Sequence, residues 1–213
     1  MVDKPNLNEI FDKIRKHTRH ALFLDLEFFQ DKHDEKSNQR MAQIAGVVLG
    51  VPHEKLSFNC YVFDPDNMDD ATQLKFLKDH NITYQQAFDH SAENIMEQVK
   101  DFLVRNKIDM VISWGHFLDF NVLEKEGFSD IIPAQMETID LERILADANG
   151  QNLDVSLNLE RFCNLLNLQN TGKWHDAFDD AVMVSKICDL YLTVLTQPIV
   201  NKNDELDKLD MDD

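Results

Sequence analysis

Little in these 213 residues interrupts a folded chain: there are six glycines and five prolines. That scarcity excludes collagen-like and low-complexity architectures, and no repeat or linker divides the body. Cysteine is scarce too. Cys60, Cys163 and Cys188 lie far apart with no Cys-x-x-Cys pair, so neither a disulfide framework nor a zinc site of closely spaced thiols is expected. Isolated thiols fit a reducing compartment, and the expected location is the cytoplasm. No apolar run reaches the roughly 20 residues needed to span a bilayer, so no membrane is expected as a partner. The first residues, Met1 to Asn6, lack the basic-then-apolar layout of a secretory signal. Positive charge is the last shortage: 21 lysines and arginines face 39 acids, a net charge of −18. A protein that grips long nucleic acid along its phosphates presents basic surface. A polyanionic substrate would therefore have to be brought in by cations and held over only a few nucleotides.

What is present has the balance of a globular protein, with 43% hydrophobic and 28% charged residues. The length suits one domain with a full core. We expect that domain over residues 1–200, followed by a disordered tail at 201–213, where six acids outnumber Lys202 and Lys208. The chain is organised around Ala21-Leu-Phe-Leu-Asp25-Leu-Glu27-Phe-Phe29, an apolar run with two acids two positions apart. Its flanks predict a strand buried on both faces. Residues i and i+2 of a strand point to one side, so Asp25 and Glu27 aim at one spot. Two carboxylates there repel and are costly to bury unless a cation neutralises them.

Helical spacing at Leu7, Ile10, Phe11 and Ile14 precedes that strand, and Met41–Leu49 and Leu56–Phe63 read as two more strands in an antiparallel meander. A helix is expected from Asp69, with Leu74 and Leu77 on one face, and another from a Ser91 cap through Val104. Asp109–Ser113 is a short buried strand, and 117–126 resumes helical spacing. Later helices are predicted over Thr138–Ala148 with Asn149-Gly150 as the stop, over 156–166 with Ser156 as the cap, and over Asp176–Leu195. Strands first and helices later give a mixed α/β sheet covered by helices.

Two further signals carry chemistry. Asp119 follows the middle strand at the start of a helix, where open backbone amides favour negative charge. In Lys173-Trp-His175-Asp-Ala-Phe-Asp-Asp180-Ala181, His175 can sit in the leading loop while Asp180 faces inward from the helix. Asp-x-Glu, a mid-chain Asp and His-x-Ala-x-x-Asp-Ala, in that order, resemble the DEDDh exonucleases of the DnaQ-like, RNase T-type superfamily. The stretches Arg40–Leu49, Asn81-Ile-Thr83, Ile139-Asp140-Leu141 and Ser156-Leu157 are similar to the family as well. The polar loop after the first strand and Trp114-Gly115 are closest to the branch holding the KapD sporulation inhibitor and ERI-type RNA-trimming enzymes. The likeness covers roughly residues 20–195.

The resemblance implies an RNase H-like fold, a five-stranded mixed sheet with its first three strands antiparallel. It implies a 3′–5′ exonuclease releasing nucleoside 5′-monophosphates from the 3′ end of single-stranded RNA or DNA. Asp25, Glu27, Asp119 and Asp180 would bind two divalent ions, Mg²⁺ or Mn²⁺, as suits an all-oxygen set of ligands. His175 would be the general base, with a pKa near 6.5 suited to the task. Asp180 is taken over Asp179 because a one-residue shift turns a side chain about 100° around a helix. Leu26, Phe28, Phe29 and His116 are the expected substrate contacts. Phe28-Phe29 depart from the small residue and glycine that many relatives carry there; their rings either stack on the last base or, the more ordinary role, belong to the core. The Trp114-to-Asp119 spacing is one residue longer than in the KapD branch. Two rival readings are a catalytically silent nuclease-like module acting through protein contacts, and a metal-dependent phosphoesterase on small nucleotides. No protein partner is legible.

Overall fold

The apolar run at Ala21 does form a strand, and the sheet is built outward from it. The computed structural model describes residues 6–33, 39–115, 117–133, 135–148 and 157–195. In chain order the elements are α1 (Leu7–Lys16), β1 (Ala21–Gln30), β2 (Gln39–Val48), β3 (Ser57–Tyr61), α2 (Asp70–His80), α3 (Tyr84–Ala87), α4 (Ala92–Arg105), β4 (Met110–Ser113), α5 (Phe117–Lys125), β5 (Glu137–Asp140), α6 (Leu141–Ala148), α7 (Leu159–Leu165) and α8 (Ala177–Val194). The strands lie in the order β3-β2-β1-β4-β5. β1, β2 and β3 are antiparallel, whereas β4 pairs parallel with β1 and β5 parallel with β4. This is the mixed five-stranded RNase H-like sheet expected from the motifs.

Central position explains why β1 is apolar throughout its first half: Ala21, Leu22 and Phe23 are fully buried. Alternation then sorts its side chains between two cores. Phe23 joins Val47, Ile112, Leu145, Met183 and Ile187 on the face covered by α8, with Phe11 and Ile14 of α1 closing that core. Leu22, Leu24 and Leu26 pack instead with Ile95, Val99, Leu103, Val122 and Leu123 from α4 and α5. At 25 cal/mol per Å² or so, burial of these two cores is the main source of stability. The pleat thus leaves Asp25 and Glu27 on the α8 side.

Register shifts between Glu27 and Phe28, a bulge in the β1–β2 ladder. The Glu126 carboxylate accepts the Met41 N–H there at 2.9 Å. Beyond the bulge Phe28 packs on the α4/α5 core, and Phe29 packs on a small third cluster of Phe63, Met68, Phe76 and Ala87.

Helix ends follow their capping residues. Asp69 accepts the Thr72 N–H, Ser91 the Asn94 N–H, and Thr83 with Gln86 forms a reciprocal capping box. Asn81 takes the left-handed conformation that ends α2, with φ 51°.

Three expectations are corrected. Thr138–Ala148 is not one helix: Thr138 and Ile139 pair with Val111 and Ile112 as part of β5, and only from Leu141 is the chain helical. A β-branched pair beside a buried parallel strand gains ladder hydrogen bonds that its own short helical turn would not offer. Leu74 does not face inward; it is 68% exposed, and Phe76 is the residue α2 buries. The cap of α7 is Asn158, whose side chain accepts the Arg161 N–H, so that helix starts later than expected. Ser156, Asn149-Gly150 and the 201–213 tail lie outside the described residues.

Candidate active site

Four acids come to the α8 face from three elements. β1 supplies Asp25 and Glu27, the first turn of α5 supplies Asp119, and the first turn of α8 supplies Asp180. Asp119 is 6% exposed and Asp180 8%. One side-chain atom from each of Glu27, His175 and Asp180 lies within 4.8 Å of the others. Asp25 and Asp119 stand outside that tight group yet share its field. Asp25 is pushed well above the usual carboxylate range, first by burial and then by the charges of Asp119, Asp180, Glu27 and Asp176. Asp119 is raised in the same way by burial, Glu27 and Asp140. Asp180 is pushed up to about 6, chiefly by burial, against the lowering effect of the His175 N–H. Glu27 is raised by burial and Asp176, while His175 pulls it down.

The decisive atom is Asp180 Oδ1, buried with no hydrogen-bond partner among the described residues. A buried carboxylate oxygen costs several kcal/mol unless something cationic or protic meets it. Its sister, Oδ2, accepts the His175 N–H at 3.3 Å. Clustered all-oxygen donors with raised proton affinity and an orphaned oxygen fit a hard divalent cation. Asp179, the neighbour that could be confused with Asp180, accepts the Lys173 N–H at 2.7 Å instead. Its carboxylate passes so close to Gly172 that a Cβ there would lie 2.1 Å from it. His175 is exposed at the mouth of the site, in the left-handed conformation with φ 62°, rare for a residue with a side chain.

An open groove of about 590 Å³ starts at Glu27 and His175 and runs past Phe28, Phe29, Tyr61 and Lys75 to Phe76 and His80 of α2. The His80 ring lies tilted against Tyr61 at 4.1 Å between ring centroids and edge-on to Phe76 at 4.6 Å. Burial and the neighbouring His90 hold the His80 ring below its ordinary pKa. Lys75 and Lys173 are the lysines of this lining.

The structure therefore gathers Asp25, Glu27, Asp119, Asp180 and His175, and it sets Phe28 and Phe29 in the groove wall. Leu26 is a correction. Its side chain is 3% exposed and packs in the α4/α5 core, on the opposite face of the sheet from Glu27. His116 lies outside the described residues. Sequence reasoning did not single out Gln43, Tyr61, Lys75, Phe76, His80 or Asp176. Gln43 had a signal, since it is one polar residue inside an apolar strand. The α2 residues had none, because only the packing of α2 beside β3 turns them toward the acids.

Comparison with known proteins agrees with this fold. No protein of curated function matches the chain. Among solved structures, cell-death related nuclease 4 matches at 18% identity with a TM-score of 0.59, over 82% of this chain and 64% of that one. A full-length 3′-exonuclease matches at 13% identity and TM-score 0.59, over 82% and 60%. A third, described as a 3′-exonuclease in 3′-end specific recognition of a histone mRNA stem-loop, matches at 12% and 0.59, over 81% and 63%. The alignments thus span less than two thirds of those structures, and at such identity the likeness is one of fold. Residues 22–188 match the RNase T-type exonuclease family, and with its acids converging on one face of the shared sheet the chain belongs to that family.

Proposed function

We propose that the chain is a metal-dependent 3′–5′ exonuclease that releases nucleoside 5′-monophosphates from the 3′ end of single-stranded RNA or DNA. One observation carries the reading: Asp180 Oδ1 is buried and unpartnered beside Glu27 and His175, at the head of a groove lined with aromatic rings. Asp25, Glu27, Asp119 and Asp180 would hold two divalent ions, Mg²⁺ or Mn²⁺. Bound there, such ions supply Lewis-acid stabilisation of charge on a phosphoryl group and offset the acidity of the protein. His175, exposed at the mouth, would take the proton of the attacking water through its imidazole. Phe28 and Phe29 would stack on the terminal base, and Lys75 and Lys173 would meet flanking phosphates. Names of similar structures that mention 3′ ends support the polarity.

The same reading takes residues 1–200 as one exonuclease domain, consistent with a single sheet and a family match over 22–188. It assigns the protein to the cytoplasm, in keeping with three free cysteines. No helix among the described residues is long and apolar enough to cross a membrane.

The test is digestion of 3′- and 5′-labelled RNA and DNA oligonucleotides with Mg²⁺ or Mn²⁺ and with EDTA. Stepwise shortening from the 3′ end, lost in EDTA and in Asp180→Asn, is the expected result. A folded protein that binds Mn²⁺ and cleaves nothing would transfer the reading to a silent binding module. Hydrolysis confined to mononucleotide esters would make it a small-nucleotide phosphoesterase.

A further inference from the structure

Glu27, Gln43 and Tyr61 stand side by side across β1, β2 and β3, because Glu27 pairs with Gln43 and Gln43 with Tyr61 in the antiparallel ladders. Gln43 is 4% exposed and uses its whole amide. Its Oε1 accepts the Ala177 N–H at 3.1 Å, and its Nε2 donates to Asn59 Oδ1 at 2.9 Å and to Asp176 Oδ1 at 3.2 Å. Asp176 is equally committed. Oδ1 also accepts the Phe178 N–H at 3.1 Å as the cap of α8, and Oδ2 accepts the Tyr61 hydroxyl at 3.3 Å.

This contact joins two segments 133 residues apart at the point where α8 begins. His175 is the next residue upstream and Asp180 lies one turn downstream. An acid in a crowded negative site would ordinarily be read as another cation ligand. The hydrogen bonds argue otherwise, since both Asp176 oxygens are spoken for by protein donors while Asp180 Oδ1 is not.

We propose that Gln43 and Asp176 form a positioning clamp that sets the first turn of α8 against β2, and so fixes His175 and Asp180 relative to Glu27. Gln43 is the keystone: the Ala177 N–H fixes the height of the helix, and Asp176 fixes its rotation. Tyr61 carries the clamp to the groove, because its ring lines the groove and its hydroxyl holds Asp176. Both residues lie in the groove lining, but their bonds run to protein partners, so they act here as positioning residues. The inference rests on the exonuclease reading for its catalytic consequence and on geometry alone for its structural one.

The experiment compares Gln43→Leu, which removes every bond, with Gln43→Glu, which keeps the acceptor for Ala177. Amide exchange at Ala177, thermal unfolding, and kcat and KM for 3′ shortening are measured on each. Outer-shell losses of this kind run about 10–100-fold in activity. Gln43→Leu should lower kcat by roughly that factor with KM within about threefold, and should speed Ala177 exchange at least tenfold in protein that remains folded. Gln43→Glu should restore part of the Ala177 protection while leaving kcat low, because its carboxylate keeps the acceptor for Ala177 but turns the two donated bonds into repulsion from Asp176 and Asn59. Asp176→Ala added to Gln43→Leu should cost less than the product of the single losses, as expected for parts of one unit. Unchanged Ala177 exchange in Gln43→Leu would overturn the clamp, and so would a kcat loss that merely tracks the folded fraction. Were the wild type inactive toward nucleic acid, the exonuclease reading would fail while the exchange data still decided the clamp.

Discussion

Two aspartates six residues apart, one in the middle of β1 and one just past its end, have opposite fates. Asp31, just beyond the end of β1, is 5% exposed, accepts the His33 N–H at 2.8 Å and pairs with Arg40 Nε at 3.0 Å. Those donors, the His33 amide foremost, hold its carboxyl below the ordinary range. Asp25, in the centre of the same strand, is surrounded by other acids and is pushed well above that range. Burial raises both groups, as the foremost cause for Asp25 and a lesser one for Asp31, and the neighbours then set the direction. A carboxylate buried with a guanidinium is held by the fold. One buried with four other carboxylates is held against its own preference and requires something from outside the chain. The end of β1 is thus held by the fold, and its centre is the candidate site.

The largest effect that would break this comparison comes from the unpaired region. Asp25→Asn or Asp180→Asn should lower 3′ shortening at least about 10³-fold, the range seen when a group acting as part of a catalytic unit is removed. Neither should unfold the protein, so a gel assay run beside a melting curve checks both halves. If either variant digests at the wild-type rate, the functional half of the contrast is wrong. His175→Ala follows, with a loss of about 10²–10⁴-fold in kcat, the usual yield of a general base. Its KM should move far less.

pH sharpens the contrast in metal-free protein. The folded pKa of Asp180, about 6, exceeds its unfolded value, so the folded state binds more protons than the unfolded state between the two. Its relative stabilisation is present at low pH and is lost as pH rises through about 6. Asp25 and Asp119 are shifted in the same direction. In EDTA, therefore, Asp180→Asn should melt several degrees above the wild type at pH 7 and lose that advantage near pH 4. Adding Mn²⁺ should raise the wild-type Tm at pH 7 and leave the variant nearly unmoved. A wild type less stable than Asp180→Asn at pH 4 but not at pH 7 would reverse the sign and exclude this account.

In the paired region, Arg40→Leu should lower Tm by a few degrees while leaving kcat within about threefold, since it strands the Asp31 carboxylate without touching the groove. The smallest change expected is in the groove wall. Phe28→Ala should weaken binding of a single-stranded 3′ end by about 1–3 kcal/mol, the worth of one aromatic–base stack, read as a rise in KM rather than a fall in kcat. An unaltered KM would return Phe28 wholly to the core.

The sequence by itself determined the central strand, its two antiparallel neighbours and most of the helices, and with the family resemblance it named the candidate acids, because those depend largely on local rules. Period-two alternation sends Asp25 and Glu27 to one face, a helix start suits Asp119 and Asp180, and apolar runs bounded by polar loops mark the strands. Boundaries that depend on a neighbour were not legible. Thr138 and Ile139 have no intrinsic reason to prefer a strand over the helix they precede until β4 offers them a ladder. Leu74 and Phe76 are separated only by which side of α2 meets the Phe63 cluster. The fate of Leu26 follows from the same alternation that places Asp25 and Glu27, applied one residue along. Tertiary structure alone decided that Gln43 meets Ala177 and that Asp176 is satisfied while Asp180 is not. The physical reason is that a hydrogen bond between residues 134 apart is made by packing of a helix on a sheet. The chemistry of a residue is written in its letter, but whether a partner is waiting for it is written only in the fold.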